Sequence, residues 1–231
     1  GREKSYLERV LDAFELAHPE VRLVRMRPGF IFKRQAAEEQ RRLFAGPLLP
    51  NALVRPGLVP FVPDLPGLRF QVLHASDAAE AYRRVVLGNA RGAFNLAADP
   101  VIDARSLGQL LGARPVKVPL WPVRTAVAAA WRLHLVPASP MLVDLALSLP
   151  LMDTTRARTE LGWSPSRTAL EAVGELLEGM RDGAGMETPP LDPRAGGRLR
   201  WRELATGIGR RSRPGCPGAT TNGSTAQEEP A

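Results

Sequence analysis

Residues 21–29 read Val-Arg-Leu-Val-Arg-Met-Arg-Pro-Gly, and this stretch decides the fold class. The segment 21–26 is rich in branched apolar residues and lies between Pro19 and the pair Pro28-Gly29. A short apolar run bounded by turn residues predicts a strand, and a strand buried on both faces is typical of a parallel sheet. The segment therefore indicates an α/β protein.

Elements of both kinds surround this strand. Before His18-Pro19, apolar residues recur at helical spacing and predict a helix with one buried face, formed by Leu7, Val10, Leu11, Phe14 and Ala17. Residues 47–69 carry many prolines and glycines and predict a long, functional connection. Further strands are predicted at 70–73, 93–96 and 116–118, and further helices at 35–44, 78–87 (capped by Asp77) and from the cap Asp103 to Gly112.

Helices dominate the later part of the chain. They are predicted at 121–135, 140–149, 154–161 and 167–180, with Asp153 and Ser166 as N-caps and with Thr168 and Glu171 at the spacing of a capping box. Periodicity fades from residue 182, so 182–231 is predicted to be a disordered tail. Strands and helices alternate in the first part of the chain, and only helices follow. This order predicts the last part of a parallel sheet and then a small, mainly helical lobe, together spanning 1–181.

Composition excludes several classes of protein. The net charge is +7, but the arginines are spread along the chain and no basic run is interleaved with aromatic residues, so nucleic acid is not an expected partner. No apolar run reaches the roughly 18–20 residues that span a bilayer, so no membrane partner is expected either. The single cysteine, Cys216, fits a cytoplasmic protein. No metal site is indicated.

The order of several short motifs is similar to that of the extended short-chain dehydrogenase/reductase family, which includes the NAD-dependent epimerases and dehydratases. The motifs are Lys4, then Arg27-Pro28-Gly29, His74-Ala75-Ser76-Asp77, Phe94-Asn95-Leu96, Asp153 and Leu161-Gly162-Trp163-Ser164-Pro165. The resemblance covers about residues 1–181 and implies the C-terminal part of a Rossmann-like sheet.

That resemblance implies a cofactor and a site. NAD or NADP would bind, Lys4 would be the lysine of the family's Tyr-x-x-x-Lys motif, and the catalytic tyrosine would fall immediately before Gly1. Pro28, Gly29, Phe30 and Ile31 would lie against the nicotinamide. The chain contains no glycine-rich phosphate loop, so it resembles the C-terminal portion of the family only and is expected, alone, to be inactive and to bind NAD(P) weakly.

Other residues have competing interpretations. Arg55 and Arg69 could bind an anionic substrate group, although solvated surface arginines are the commoner case. His74, at a strand end beside a helix, more often satisfies backbone groups than acts in catalysis. Trp121, Trp131 and Trp163 are expected to pack in the core.

Three hypotheses for function remain open at this point. The first is an NAD(P)-dependent epimerase, dehydratase or reductase that acts by hydride transfer on a hydroxyl or keto group of a small molecule, with a nucleotide sugar as the expected substrate and a homodimer as a further expectation. The second is a non-catalytic nucleotide-binding or regulatory protein on the same fold. The third is a basic scaffold that binds an anionic surface.

Overall fold

The computed structural model describes residues 2–44, 54–133, 135–136, 139–188 and 191–192. No helix in these ranges is long and apolar enough to cross a bilayer. Residues 45–53 and 193–231 lie outside them, so the start of the connection predicted at 47–69 and most of the disordered tail predicted at 182–231 fall outside the described residues and stay predictions. The helices are α1 (Arg2–Ala17), α2 (Ala37–Phe44, after a 3-10 turn Arg34–Ala36), α3 (Ala75–Leu87), α4 (Ala104–Leu111), α5 (Leu120–Arg132), α6 (Pro140–Ser148), α7 (Thr155–Glu160) and α8 (Ala169–Asp182).

Three small sheets carry the strands, and most of the pairing is parallel, as the sequence predicts. Strand β1 (Val24–Pro28) pairs with β5 (Gly92–Leu96), and β3 (Phe61–Asp64) pairs with β7 (Arg114–Lys117), both in parallel. Strand β4 (Arg69–His74) lies between β2 (Phe30–Phe32), which is parallel to it, and β6 (Ala98–Asp103), which is antiparallel.

Two neighbouring segments of the chain, one at Gly29 and one at Ala97, stop pairing with each other and pair with β4 instead. Strands β1 and β2 are separated only by Gly29, and β5 and β6 only by Ala97. Upstream of these residues β1 and β5 pair with each other; downstream, β4 enters between β2 and β6, so that Val72 pairs with Phe30 on one side and with Ala98 on the other. The Gly29 N–H donates to the Leu96 carbonyl at 2.8 Å and closes the last rung before the strands part. A crevice at such a parting of strands is a common place for ligands in α/β proteins.

Helices pack against the sheets and form the core with them. Helix α8 packs on β2, β4 and β6 through Ala169, Ala172, Val173 and Leu176. Leu73, Phe94, Leu96 and Trp163 form a second cluster with α3 and α7. Trp163 is fully buried and its Nε1 donates to the Asp77 carbonyl at 3.0 Å, which confirms its predicted core position. Trp121, in contrast, is 72% exposed, so its predicted core position is wrong.

The caps of three helices differ from the prediction. The N-cap of α7 is Thr154, not Asp153, although the Asp153 carboxylate accepts from the Thr155 N–H. His74, not Asp77, is the N-cap of α3, and its Nδ1 accepts from the Ser76 N–H at 3.2 Å. Asp77 is buried instead in the first turn, where its carboxylate accepts from the N–H and hydroxyl of Ser166 and from the Arg167 N–H. Ser166 therefore binds Asp77 and is not the N-cap of α8. This helix begins instead with the predicted capping box of Thr168 and Glu171.

Helix α1 is present as predicted, but the face expected to be buried is exposed. Leu7, Val10 and Phe14 are all more than a third exposed. The side that contacts β1 is charged: Arg25 binds Glu8, Asp12 and Glu15, and Arg27 binds Glu8. Ion pairs rather than apolar contacts attach this helix to the rest of the described chain.

The sequence did not predict three strands: β2, which is only three residues long, and β3 and β6, each of which contains a proline. Strand β3 carries Pro63 and β6 carries Pro100, and a proline ordinarily argues against a strand because it lacks an N–H donor. Both strands lie at the edge of their sheets in the described chain, where one side of the strand needs no donor.

Candidate functional site

A cleft of about 260 Å³ opens where β1 and β2 part from β5 and β6. Five of the seven predicted site residues line it, namely Lys4, Pro28, Gly29, Phe30 and Arg69. Phe70, Gln71 and the segment 149–152 complete its wall. Phe30 and Phe70 pack edge to face, with their ring centroids 5.8 Å apart, and form an apolar floor. We refer to this space as the cleft.

The backbone at Gly29 approaches β4 more closely than any other residue would allow. A Cβ added to Gly29 would lie 2.6 Å from the Gln71 carbonyl oxygen. The resemblance implies that this glycine lies against the nicotinamide; in the structure, the absence of its side chain makes room for a neighbouring strand. The floor of the cleft therefore depends on the absence of a side chain at this position.

The segment 149–152 is held over the cleft by two amide side chains. The Gln71 Nε2 donates to the Met152 carbonyl at 3.0 Å, and the Met152 N–H donates back to the Gln71 Oε1 at 2.7 Å. On the next strand, the Asn95 Nδ2 donates to the Asp153 carbonyl at 2.9 Å. Thr155 donates two hydrogen bonds to the Asp153 carboxylate, which lower its pKa from the usual value. Polar residues of two strands thus fix the path of the chain that closes one side of the cleft.

Lys4 reaches the cleft from the first turn of α1. One turn later on the same helix, Glu8 is bound by Arg27, whose hydrogen bond holds the pKa of that carboxyl below its usual value. The Glu8 carboxylate raises the pKa of Arg27 in turn. This pair anchors the N-terminal part of α1 to the end of β1. Lys4 itself has no hydrogen-bond or ion-pair partner among the described residues.

The remaining predicted residues are not all brought to the cleft. Ile31 is absent from its lining, because consecutive residues of a strand point to opposite faces and Phe30 is the one that faces inward. Arg55 is exposed in a turn that packs against the end of α4, where the Gly57 N–H donates to the Leu111 carbonyl. Arg69 lines the cleft, and within the described part of the chain its guanidinium has no partner.

His74 has a structural role, as its position suggested. Besides capping α3, it places its Nε2 at 2.9 Å from a Glu175 carboxylate oxygen on α8. With Nδ1 accepting from Ser76, the Nε2 carries the proton and donates it to Glu175. His74 is not among the cleft residues.

Sequence reasoning missed Gln71 and the segment 149–152. Gln71 lies between Phe70 and Val72 in the run 70–73, which is otherwise apolar, and a polar residue at such a position was the available signal. Nothing in the sequence of 149–152 marks it as part of a site, because its position depends on contacts 81 residues away along the chain.

No family model matches the chain. Uncharacterized proteins of Mycobacterium tuberculosis and Mycobacterium bovis are each 31% identical to it over 169 residues, which are 72% of this chain and 43% of the relative. The chain therefore spans less than half the length of the curated relatives it matches.

Solved structures define the fold. The UDP-glucose 4-epimerase of Thermotoga maritima, solved with UDP-glucose, superposes with a TM-score of 0.51 at 15% identity, covering 79% of this chain and 53% of the epimerase. The fold is epimerase-like. A second UDP-glucose 4-epimerase, from Bifidobacterium longum in complex with NAD⁺ and UDP, gives a TM-score of 0.50 at 14% identity and covers 79% of this chain and 54% of that one. The chain has the predicted α/β architecture, part of a Rossmann-like sheet followed by a mainly helical lobe.

Proposed function

We propose that the protein carrying this chain is an NAD(P)-dependent epimerase, dehydratase or reductase that moves a hydride to or from a carbon bearing a hydroxyl or keto group of a nucleotide sugar. One observation carries the proposal. A single cleft brings together Lys4, at the start of α1, and Pro28, Gly29 and Phe30, at the end of β1. Lys4 lies far from the other three in the sequence.

The residues present fit only the nicotinamide end of such a cofactor. The cleft holds a single free ammonium, Lys4, beside the donor-free Pro28, and its volume of about 260 Å³ is small for a dinucleotide. The pyrophosphate of a dinucleotide needs a glycine-rich loop and a helix N-terminus, and this sequence has no such loop. We therefore propose that residues 1–181 are the C-terminal part of the domain and that the dinucleotide-binding half precedes Gly1.

When bound, the cofactor would supply the acceptor and donor of the hydride. The chain's own contribution concerns the proton. A substrate hydroxyl must lose its proton as the carbon loses its hydride, and a tyrosine one helical turn before Lys4 would take it. A nearby cation favours the phenolate over the neutral phenol, so the Lys4 ammonium would lower the pKa of that tyrosine. Arg69, at the other side of the cleft, would bind an anionic group of the substrate. The proposal includes a cytoplasmic location and a homodimer.

The first test is the coding sequence upstream of Gly1, where the proposal requires a tyrosine codon immediately before Gly1 and a glycine-rich loop further upstream. The second test uses the protein extended by that sequence. Lys4→Met should lower kcat on UDP-sugars by a factor on the order of 10²–10⁴, the usual contribution of acid–base catalysis, and Lys33→Met should not. Another residue before Gly1, or equal kinetics for both variants, would favour the non-catalytic nucleotide-binding alternative.

A further inference from the structure

A second open space, which we call the apolar groove, lies between α5, α6 and the turn at 65–68. Its volume is about 470 Å³, within the range of small-molecule sites. Every side chain that lines it is apolar: Leu65, Leu68, Ala126, Val127, Ala130, Val136, Leu142, Val143, Ala146 and Leu147. Ligand sites ordinarily include a few polar groups that fix orientation. A lining without any can recognise hydrocarbon only.

Helix α6 has one charged residue and is otherwise almost entirely apolar, which is unusual for a helix at a surface. Leu142, Val143, Ala146 and Leu147 face the groove, while Met141 and Leu145 are exposed on the other side. Its only charged residue, Asp144, is paired with Arg124 of α5 at 2.9 Å. No described residue of α5 or α6 is buried. A helix with so few polar residues is normally covered by other parts of a protein or by a ligand. Helices α5 and α6 therefore offer apolar surface for binding.

The apolar groove and the cleft are both neighbours of a third space. Leu65 and Leu68 also line an adjoining open space of about 790 Å³, which we call the junction. Arg69 lines both the junction and the cleft. On the other side, the chain runs directly from Leu147 of the groove to Leu149 of the cleft. The groove, the junction and the cleft therefore lie next to one another, with shared residues between neighbouring spaces.

The junction carries cations that are available to a ligand. The Arg69 guanidinium and the Lys117 ammonium have no hydrogen-bond or ion-pair partner in the described part of the chain. Two carboxylates, Asp64 and Asp103, line the junction as well. Asp103 is held as the N-cap of α4, where it accepts from the Ser106 N–H at 2.8 Å, and neither carboxylate forms an ion pair with Arg69 or Lys117 in the described chain. Two unpaired cations next to a purely apolar groove complement a ligand that has an anionic group and a hydrocarbon chain.

We propose that the apolar groove binds the hydrocarbon chain of an amphiphilic ligand whose phosphate lies at Arg69 and Lys117, so that the group attached to the phosphate enters the cleft. The last clause rests on the proposed hydride transfer and adds an alkyl phosphate, as a second substrate class, to the nucleotide sugar. Binding of the chain and the phosphate does not, because it requires neither nicotinamide nor turnover. A failure of hydride transfer would therefore leave the binding measurement intact, and the reverse also holds.

The test is calorimetric titration of the chain with monomeric butyl, hexyl, octyl and decyl phosphate, with inorganic phosphate as reference. Each buried methylene contributes about 0.8 kcal/mol, so Kd should fall about fourfold for each methylene until the groove is filled. A Kd that is independent of chain length would overturn the proposal. So would binding to phosphatidylglycerol vesicles without binding to monomeric decyl phosphate, which would indicate a membrane surface instead.

Two neighbouring alanines of α5 provide matched variants. Ala130 lines the groove, and Ala129 is exposed and does not. Ala130→Trp should fill the groove and abolish the dependence of Kd on chain length, while Ala129→Trp should preserve it. Lys117→Gln should weaken the binding of every alkyl phosphate by a similar factor and leave the change per methylene unaltered. Equal dependence on chain length in both tryptophan variants would overturn the proposal, and the titration of the unaltered chain remains decisive if a variant does not fold.

Discussion

Gln71 and Met152 bind each other twice, side chain to backbone, across 81 residues of sequence. The amide of Gln71 reproduces the pairing that a neighbouring strand would give to the Met152 peptide, donating at 3.0 Å and accepting at 2.7 Å. This pair is what fixes one wall of the cleft relative to its floor.

Removal of this amide should loosen the cleft. Gln71→Ala leaves the N–H and carbonyl of Met152 without partners in a part-buried position, which costs about 1–3 kcal/mol of folding free energy. Hydrogen exchange of the Met152 amide should accelerate more than that of the core amide of Val72. Gln109→Ala, at an exposed position of α4, is the control and should change neither. Unchanged exchange at Met152 would show that something else holds the segment 149–152.

Gly29 and Gly174 should respond in opposite directions to a methyl group. Gly29→Ala would place a Cβ 2.6 Å from the Gln71 carbonyl oxygen, and the backbone shift that relieves it should cost about 1–3 kcal/mol. At Gly174, inside α8, the nearest atom would be 3.8 Å away, so Gly174→Ala should gain up to about 1 kcal/mol of helix propensity. Urea unfolding of the two variants measures both changes. A neutral Gly29→Ala would contradict the close approach of the two strands.

The exposed apolar stripe of α1 should promote self-association. Leu7→Lys removes the first apolar residue of this stripe. Leu16→Lys is the control, because Leu16 lies nine residues later and therefore on the opposite side of the helix. Light scattering of the chain should show smaller particles for Leu7→Lys than for Leu16→Lys, although Leu16 is the more exposed residue at 85% against 56%. The same particle size for both variants would exclude the stripe as the contact surface.

Acid should weaken the contact between α3 and the turn after α7. Arg83 and Arg84 donate hydrogen bonds to Glu80 and lower its pKa from 4.5 to about 2, and Arg84 also binds the carbonyls of Leu161 and Gly162. Because the folded-state pKa is depressed, the ionised Glu80 stabilises the fold above about pH 4.5, and this contribution is lost as the pH falls towards 2.

The corresponding measurement is the urea midpoint as a function of pH. The urea midpoint should decline less steeply between pH 4.5 and about 2 in Glu80→Gln than in the unaltered chain. The difference should be small because the Glu80 carboxylate is exposed and screened by solvent. Glu178→Gln removes an exposed carboxylate that has no partner in the described chain and should leave the decline unchanged. Parallel declines for the two variants would exclude Glu80 as the source.

Local signals predicted most elements, and long-range contacts account for the errors. The cap Asp103, the capping box at Thr168 and the left-handed Gly112 were recognisable because each is completed within a few residues. Asp77 was assigned to the wrong partner because Ser166, which it binds, lies 89 residues away.

The same distinction separates what was predicted of the cleft from what was not. Lys4, Pro28 and Gly29 carry a recognisable order along the chain, whereas Gln71 acquires its role only when β4 lies beside the segment 149–152. The orientation of α1 could not be deduced from apolar periodicity, because Arg25 and Arg27 attach its charged side and leave the apolar side exposed.

The most direct test of the proposed nicotinamide site uses the three lysines of the chain, Lys4, Lys33 and Lys117, as internal controls. The protein, extended upstream of Gly1 by its coding sequence, is labelled with an amine-specific acetylating reagent with and without NAD(P)H, and each lysine is quantified by mass spectrometry. The cofactor should slow the labelling of Lys4 alone, and the 231-residue chain should show no such protection. Equal labelling of Lys4 with and without the cofactor in the extended protein would contradict the assignment of the cleft.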